Sequence, residues 1–200
     1  MSTDATRPTP EHLEGAESLL QEAPVAYLGL VERPPDGETA GSPYVVPVNF
    51  AFCGSLPSDE VRTAGGTVGA TLGDATERPP AAEIDRPAAR ILFHSGIGRK
   101  TRALAENPHV CLAITGDVSF SAGSKPCEDG FDYRSVLVWG RARLLESRED
   151  RVAALRKIVA KYDPQAVDRA FDEQDFEQTQ VYEVTIDTLS YKEQPRHRSG

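Results

Sequence analysis

A short strand, a glycine turn and a helix whose first two residues are cations run from Ile91 to Pro108, and this stretch constrains the fold more tightly than any other. Ile91, Leu92 and Phe93 are apolar and β-prone, while Gly96 and Gly98 stop any periodic pattern. Arg99 to Glu106 suits a helix, and Asn107-Pro108 ends it because the residue before proline is pushed out of the α region. Arg99 and Lys100 therefore fall in the first turn, where the helix dipole is already positive. Two readings follow. Either both cations are simply solvated on an exposed turn, or they converge with the free N–H groups on an anion such as a phosphate.

Composition limits what such an element can belong to. Two hundred residues allow one domain with a real core, and 39% hydrophobic with 26% charged residues is ordinary for a globule. A net charge of −9 argues against a nucleic-acid or anionic-membrane binder, which needs a basic face. No apolar run of about 18 residues is present, and Met1 to Pro10 lacks the apolar core of a secretory signal. Cys53, Cys111 and Cys127 are odd in number and widely spaced, which fits neither a disulfide framework nor a zinc site. His12, His109 and His197 show no metal-ligand spacing. The expectation is a metal-free cytoplasmic protein.

Along the chain, residues 1–8 are expected to be disordered. Thr9 caps a helix with an apolar stripe of Leu13, Ala16, Leu19 and Leu20, ending near Glu22. Val25 to Val31 reads as a strand closed by Pro34-Pro35-Asp36-Gly37. Pro43 to Cys53 reads as a second strand, with Pro47 marking an edge, a bulge or an opening in the sheet. Asn49, on the same face, either points into that opening or bonds nearby backbone. Residues 54–90 have no sustained periodicity and read as a long insertion within a hairpin. His109 to Thr115 is a strand, 116–132 is irregular, and Tyr133 to Leu145 is the longest strand. Ser147 caps a helix with Asp150 three residues on, and Val152, Leu155, Ile158 and Val159 form its buried stripe. Residues 165–179 are ambiguous, Gln180 to Leu189 is the last strand, and a polar tail follows, with 193–200 outside the domain. Six strands in hairpin succession with about three helices predict a single domain over 9–192: a six-stranded antiparallel β-barrel with peripheral helices. Cys111 is expected in the core, Cys127 is a poor nucleophile beside Glu128 and Asp129, and Trp139 is a core or interface residue.

Four motifs occur in order: Pro-Tyr-Val-Val-Pro-Val-Asn-Phe (43–50), Phe-His-Ser-Gly-Ile-Gly-Arg-Lys (93–100), Asn-Pro-x-Val (107–110) and Tyr-Arg-Ser-Val-Leu-Val-Trp-Gly-Arg-Ala (133–142). Together they resemble the pyridoxamine 5′-phosphate oxidase-like FMN-binding split-barrel superfamily, and within it the nitroimidazole-resistance (Nim-like) branch. The likeness spans roughly residues 20–192 apart from the insertion, which is longer than the turn expected there. The resemblance implies a split barrel that forms a homodimer, with FMN in clefts between the subunits, acting on a small molecule. It places Arg99 and Lys100 on the FMN phosphate, with Gly98 in the turn before them. Phe93, His94 and Ser95 would line the cleft, with His94 as the candidate proton donor or relay. The backbone of Val46, Pro47, Val48 and Asn49 would lie along the flavin ring. Ser135 stands where the vitamin oxidases carry a glutamine, and Trp139 and Lys192 would reach the flavin from the partner chain. No G-x-G-x-x-G fingerprint supports a dinucleotide. The segment from Tyr191 to Arg196 does not look like the substrate-phosphate grip of the vitamin oxidases, so the expected activity is a flavin-dependent oxidoreductase with a nitro-aromatic as one candidate substrate. The alternative is a non-catalytic protein that binds or senses flavin, or that holds deazaflavin or haem.

Overall fold

The fold turns on a break in one strand. The computed structural model describes residues 10–32, 41–56, 61–63, 89–123 and 125–194. The stretch read as a single strand over 43–53 is two strands, β2 (Ser42–Val48) and β3 (Phe50–Cys53), separated by Asn49. β2 pairs antiparallel with β1 (Ala26–Glu32), and β3 pairs antiparallel with β5 (Arg90–Gly96). The remaining long strands are β6 (His109–Ser121), β7 (Gly130–Leu144) and β8 (Thr179–Gln194). The ladder order is β2-β1-β6-β7-β8-β5-β3, so the two halves of the broken strand occupy opposite ends of the ladder. The hydrogen-bonded sheet does not close, yet its two ends are joined covalently through Asn49. That is a split barrel. Pro43 and Pro47 sit on β2, where the missing N–H faces no further strand, as an edge requires.

Six predicted strands thus become seven along the ladder because one is broken. An eighth, β4 (Val61–Thr63), lies inside the expected insertion and pairs parallel with β8, which departs from a purely antiparallel sheet. The rest of the 54–90 expectation, from 57–60 and 64–88, lies outside the described residues, as do 1–9 and 195–200. Four helices flank the sheet: α1 (Pro10–Glu22), α2 (Arg99–Glu106), α3 (Arg148–Tyr162) and α4 (Glu173–Gln178). α4 falls in the acidic stretch that carried no clear periodicity, and the carboxylate of Asp172 caps it by accepting the Asp175 amide. β6 runs on to Ser121 rather than stopping at Thr115, through a register shift between Gly116 and Ser119. β8 continues to Gln194, so Tyr191, Lys192 and Glu193 belong to a strand and not to a tail.

Period-2 alternation sorts the side chains. Leu28, Leu112, Ile114, Val136, Val138 and Ile91 are fully buried inside the barrel with Phe50 and Phe93, and Leu19 and Leu20 of α1 close one end. A second cluster lies outside β3 and β5, where Leu155 and Ile158 of α3 and Phe176 of α4 cover Ala51, Leu92 and Val181. The unbroken apolar run Ile91-Leu92-Phe93 is therefore buried on both faces. The outer face of β2, β1, β6 and β7 differs. Val45, Tyr27 and Trp139 are exposed there, with Ala113 paired to Tyr27 and Leu137. Cys111, expected in the core, lies half-buried on this face as the register partner of Trp139. Among the described residues no helix is long and apolar enough to cross a membrane.

Tyr162, the last residue of α3, secures the break. Its hydroxyl accepts the Phe50 amide at 2.9 Å and lies 2.8 Å from the Pro24 carbonyl and 3.1 Å from that of Phe50, sharing its proton between them. We expect Tyr162→Phe to cost about 1–2 kcal/mol in denaturant unfolding, because the buried backbone groups at the break lose their partner while the ring packing remains. An unchanged midpoint would show that the break holds without it.

Candidate functional site

Strand β5 delivers His94 and Ser95 to the start of α2, and the broken strand brings β2 alongside. Ser95 is buried and its hydroxyl donates to the Gly96 carbonyl at 2.8 Å. Gly98 is the N-cap of α2 in an extended conformation that any residue can adopt. No strain requires glycine there, and a Cβ at Gly98 would meet nothing within 4 Å. What the glycine leaves is open space beside the helix start. The Thr101 hydroxyl accepts the Gly98 amide at 3.0 Å, and the Arg102 amide makes the first helical bond, to the Gly98 carbonyl. The amides of Arg99, Lys100 and Thr101 therefore have no intrahelical acceptor.

The two cations behave differently. Arg99 forks onto Glu32 of β1, Nε to Oε1 at 2.7 Å and Nη2 to Oε2 at 2.6 Å, with its guanidinium 4.4 Å above the Tyr44 ring. The hydrogen bonds from Arg99 hold the Glu32 carboxyl below its usual range, against some desolvation. Lys100 is half-buried and makes no hydrogen bond or ion pair among the described residues. Burial lowers its ammonium pKa. His94 is likewise half-buried, and its imidazole pKa is lowered first by burial and then by the Lys100 charge. The imidazole is therefore neutral at neutral pH, able to donate from one nitrogen and accept at the other. Arg102, exposed one turn on, is also within electrostatic reach of Glu32, so two guanidiniums act on that carboxylate while the Lys100 charge acts on His94. A patch of net positive charge thus stands on a chain of net charge −9.

The remaining predicted residues separate into two groups. Val46 and Val48 point toward the barrel and Pro47 and Asn49 are exposed, so the edge strand presents its backbone beside the break. Phe93 is fully buried and stacks on Tyr182 with centroids 5.1 Å apart, which makes it core rather than cleft lining. Ser135 and Lys192 are register partners on β7 and β8, and Trp139 lies further along β7 between Cys111 and Thr188. All three face outward on the open sheet, and no hydrogen bond or ion pair among the described residues joins them to α2. Three participants were missed from sequence. Thr101 carried a local signal, since it stands three residues after Gly98, the spacing of a reciprocal cap. Glu32 and Tyr44 carried none, because Arg99 reaches them only once β1, β2 and α2 are assembled.

The fold and this helix start define a split barrel with a cation-rich corner at one end. The chain belongs to the pyridoxamine 5′-phosphate oxidase family, whose model matches residues 13–193. No curated protein matches. Among solved structures the fold is similar to an FAD and heme binding protein from Mycobacterium smegmatis, with 19% identity, 98% of this chain and 76% of that one covered, and TM-score 0.64. It is also similar to the flavocytochrome Anf3 from Azotobacter vinelandii, at 21% identity, 96% and 75% coverage, and TM-score 0.61. A third similar structure is a candidate 5-nitroimidazole antibiotic resistance protein from Bacteroides thetaiotaomicron, at 18% identity, 91% and 82% coverage, and TM-score 0.58. At these identities the likeness is one of fold, and the family match agrees with the superfamily expected from the motifs.

The lowered His94 pKa has a signed consequence. The folded state resists protonation, so on acidification through the ordinary value of 6.5 the unfolded chain binds the extra proton first and stability falls. We expect the wild-type denaturation midpoint to drop below about pH 6.5 more steeply than that of His94→Asn. Parallel pH profiles would refute a neutral, half-buried His94.

Proposed function

We propose that the chain binds FMN between two copies of itself and acts as a flavin-dependent oxidoreductase on a small molecule. The observation that carries this reading is Lys100, a half-buried ammonium without a carboxylate partner at a helix start whose neighbouring Gly98 leaves room for a ligand. A buried cation with free donors beside it is favourable once an anion is present and costly without one. The residues therefore fit the phosphate of a flavin nucleotide. Lys100 and the α2 amides would hold the phosphate, with Arg99 joining if it swings from Glu32.

When bound, the flavin supplies the hydride or electron transfer. The chain's own task is to bind, orient and exclude water. His94, neutral and beside Lys100, can hold or pass a proton at an imidazole nitrogen. The β2 backbone near Pro47 and Asn49 offers a platform for the ring. The homodimer is supported by the outer sheet face, where Tyr27 is 51% and Val45 64% exposed and no helix among the described residues covers them. A second copy on this face would bring Ser135, Trp139 and Lys192 to a cleft that a single chain leaves incomplete. The similar structures described as binding FAD and heme, or as a flavocytochrome, make FAD and haem the rivals that reconstitution must separate from FMN.

Lys100→Ala should weaken FMN binding about 10- to 100-fold, followed by flavin fluorescence, since a charge-assisted bond is worth roughly 1.5–3 kcal/mol. Glu32→Gln should not weaken it, because it frees the Arg99 fork. Unchanged affinity in Lys100→Ala would remove the phosphate site. For the dimer, Leu137→Glu should shift the sedimentation coefficient to that of a monomer and lower bound flavin with it. A monomeric wild-type chain that retains flavin would defeat the shared cleft. Reoxidation of reduced flavin by a panel of acceptors, including a nitro-aromatic, should exceed the rate with free FMN. A rate equal to free FMN would favour a non-catalytic flavin binder.

A further inference from the structure

The barrel interior changes from apolar to charged at the end closed by α1. On β7 the inward residues Val136 and Val138 are fully buried, but the next two inward positions toward the strand start are Arg134 and Asp132. On β8 the inward sequence runs Leu189, Tyr191, Glu193. A cavity of about 590 Å³ opens here, lined by Asp117, Asp132, Glu193, Arg134, Tyr133 and Tyr191 with parts of their neighbours. Gly15 of α1 completes one wall, and a Cβ there would lie 2.6 Å from the Tyr191 hydroxyl.

The carboxylates outnumber their partners. Arg134 is fully engaged: its Nε meets Asp117, its Nη2 meets Glu22 at 3.1 Å, and its Nη1 donates to the Ser18 hydroxyl at 3.2 Å. Asp117 reaches this fork from a left-handed backbone, φ 54°, at the β6 register shift. Among the described residues Glu193 accepts the Tyr191 hydroxyl, at 3.1 Å, and no other hydrogen bond. The Lys192 ammonium lies over the Tyr133 ring, 5.3 Å from its centroid, and pairs with neither. Asp132 is 7% exposed and makes no hydrogen bond or ion pair among the described residues. Asp132 is largely shielded from bulk water and its carboxylate opens into the cavity, so a cation entering there supplies the partner it lacks among the described residues. Three lining carboxylates against one lining guanidinium leave the cavity with a formal charge of −2.

We propose that this cavity binds a small organic ammonium ion, a primary amine or diamine, with Asp132 as its principal counter-ion. The chemistry favours an ammonium over a metal. Among the described residues no group of three or more His, Cys, Asp or Glu side chains could hold a metal ion. Arg134 pairs with Glu193 in register, which makes Asp132 the diagonal neighbour of Glu193, about 7–8 Å away. A diamine can span two carboxylates so placed, one ammonium on each. The site is separate from the α2 corner, which lies at the other end of β7, where Arg141 pairs with His109.

Calorimetric titration of the full-length protein with putrescine (1,4-diaminobutane) at low ionic strength tests this. Saturable binding of one putrescine per chain is expected, weakened at least tenfold in Asp132→Asn and less in Glu193→Gln. Asparagine preserves shape and removes no existing contact, so the variant should fold. Putrescine should raise the thermal midpoint of the wild type and leave that of Asp132→Asn unmoved. Lys100→Ala should bind putrescine normally and Asp132→Asn should bind FMN normally, so this site and the flavin site fail independently. Absence of saturable binding, equal affinity in Asp132→Asn, or displacement of putrescine by stoichiometric calcium would overturn the proposal. So would putrescine binding that appears only when Arg196 and Arg198 are both replaced by serine, which would assign the carboxylates to the chain's own basic end.

Discussion

The structure depends on one peptide that crosses a gap. β2 and β3 are consecutive in sequence yet stand at opposite ends of the ladder, so the sheet must curl until Asn49 can bridge them. The backbone at such a break loses ladder partners, and buried amides and carbonyls need replacements. The Tyr162 hydroxyl supplies them for Phe50 and also reaches the exposed Pro24 carbonyl. The neighbouring Lys161 follows the same path, with Nζ 3.5 Å from the Phe50 ring centroid and donating to the Leu20 carbonyl at 3.1 Å. Desolvation there pushes its pKa down to about 8. Its charge opposes folding below that pH, and the penalty fades as pH rises from about 8 toward 10.5. The end of α3 thus closes the barrel seam with a phenol at modest electrostatic cost, much of it screened because the lysine is half exposed.

Closing the seam creates the charged corner. Only in the curled sheet do β1 and β2 approach α2, so that Glu32 and Tyr44 can hold Arg99. The pairing answers half of the puzzle posed by two cations at a helix start. Arg99 is satisfied by a side chain from another strand, while Lys100 stays half-buried beside the neutral His94. The dipole and the desolvation act in the same direction on Lys100, and the Lys100 charge adds to desolvation at His94. A stable fold would not assemble that combination for packing alone, which is why the corner, and not the deeper core, carries the functional reading.

Local features were the ones legible from sequence. α2 has the expected bounds because Gly98 and Asn107-Pro108 are punctuation that tertiary context seldom overrides. Pro47 marked an edge, a bulge or an opening because of its missing donor, and β2 is an edge strand of the described sheet. The long alternation of β7 was visible because Val136 and Val138 recur at period two. What escaped was whatever required two distant segments. The Arg99–Glu32 fork joins residues 67 apart in sequence. The extension of β6 depends on a bulge at Asp117, where alternation is interrupted and the sequence looks like loop. β8 runs past Leu189 through polar residues because β7 supplies hydrogen bonds up to Gln194, whatever the composition. Phe93 resembled a cleft residue only because it adjoins His94, whereas the pleat turns neighbours to opposite faces.

That same pleat separates the two proposed sites. Ser135 and Lys192 are register partners and so are Arg134 and Glu193, one residue back and forward along the same strands. The first pair faces the open outer sheet and the second faces the barrel mouth. A slip of β7 by one residue against β8 would put Arg134 on the outer face while Glu193 stayed inside, and would carry the Val136 and Val138 side chains out of the core. Register is fixed by that burial and by Gly140, which sits opposite the β8 bulge at Asp187 and lies so close to the Thr185 carbonyl that a Cβ would collide with it. The glycine therefore determines more than local packing. By holding the β7–β8 register, it decides which charged residues face the outer side of the sheet and which line the cavity beneath α1.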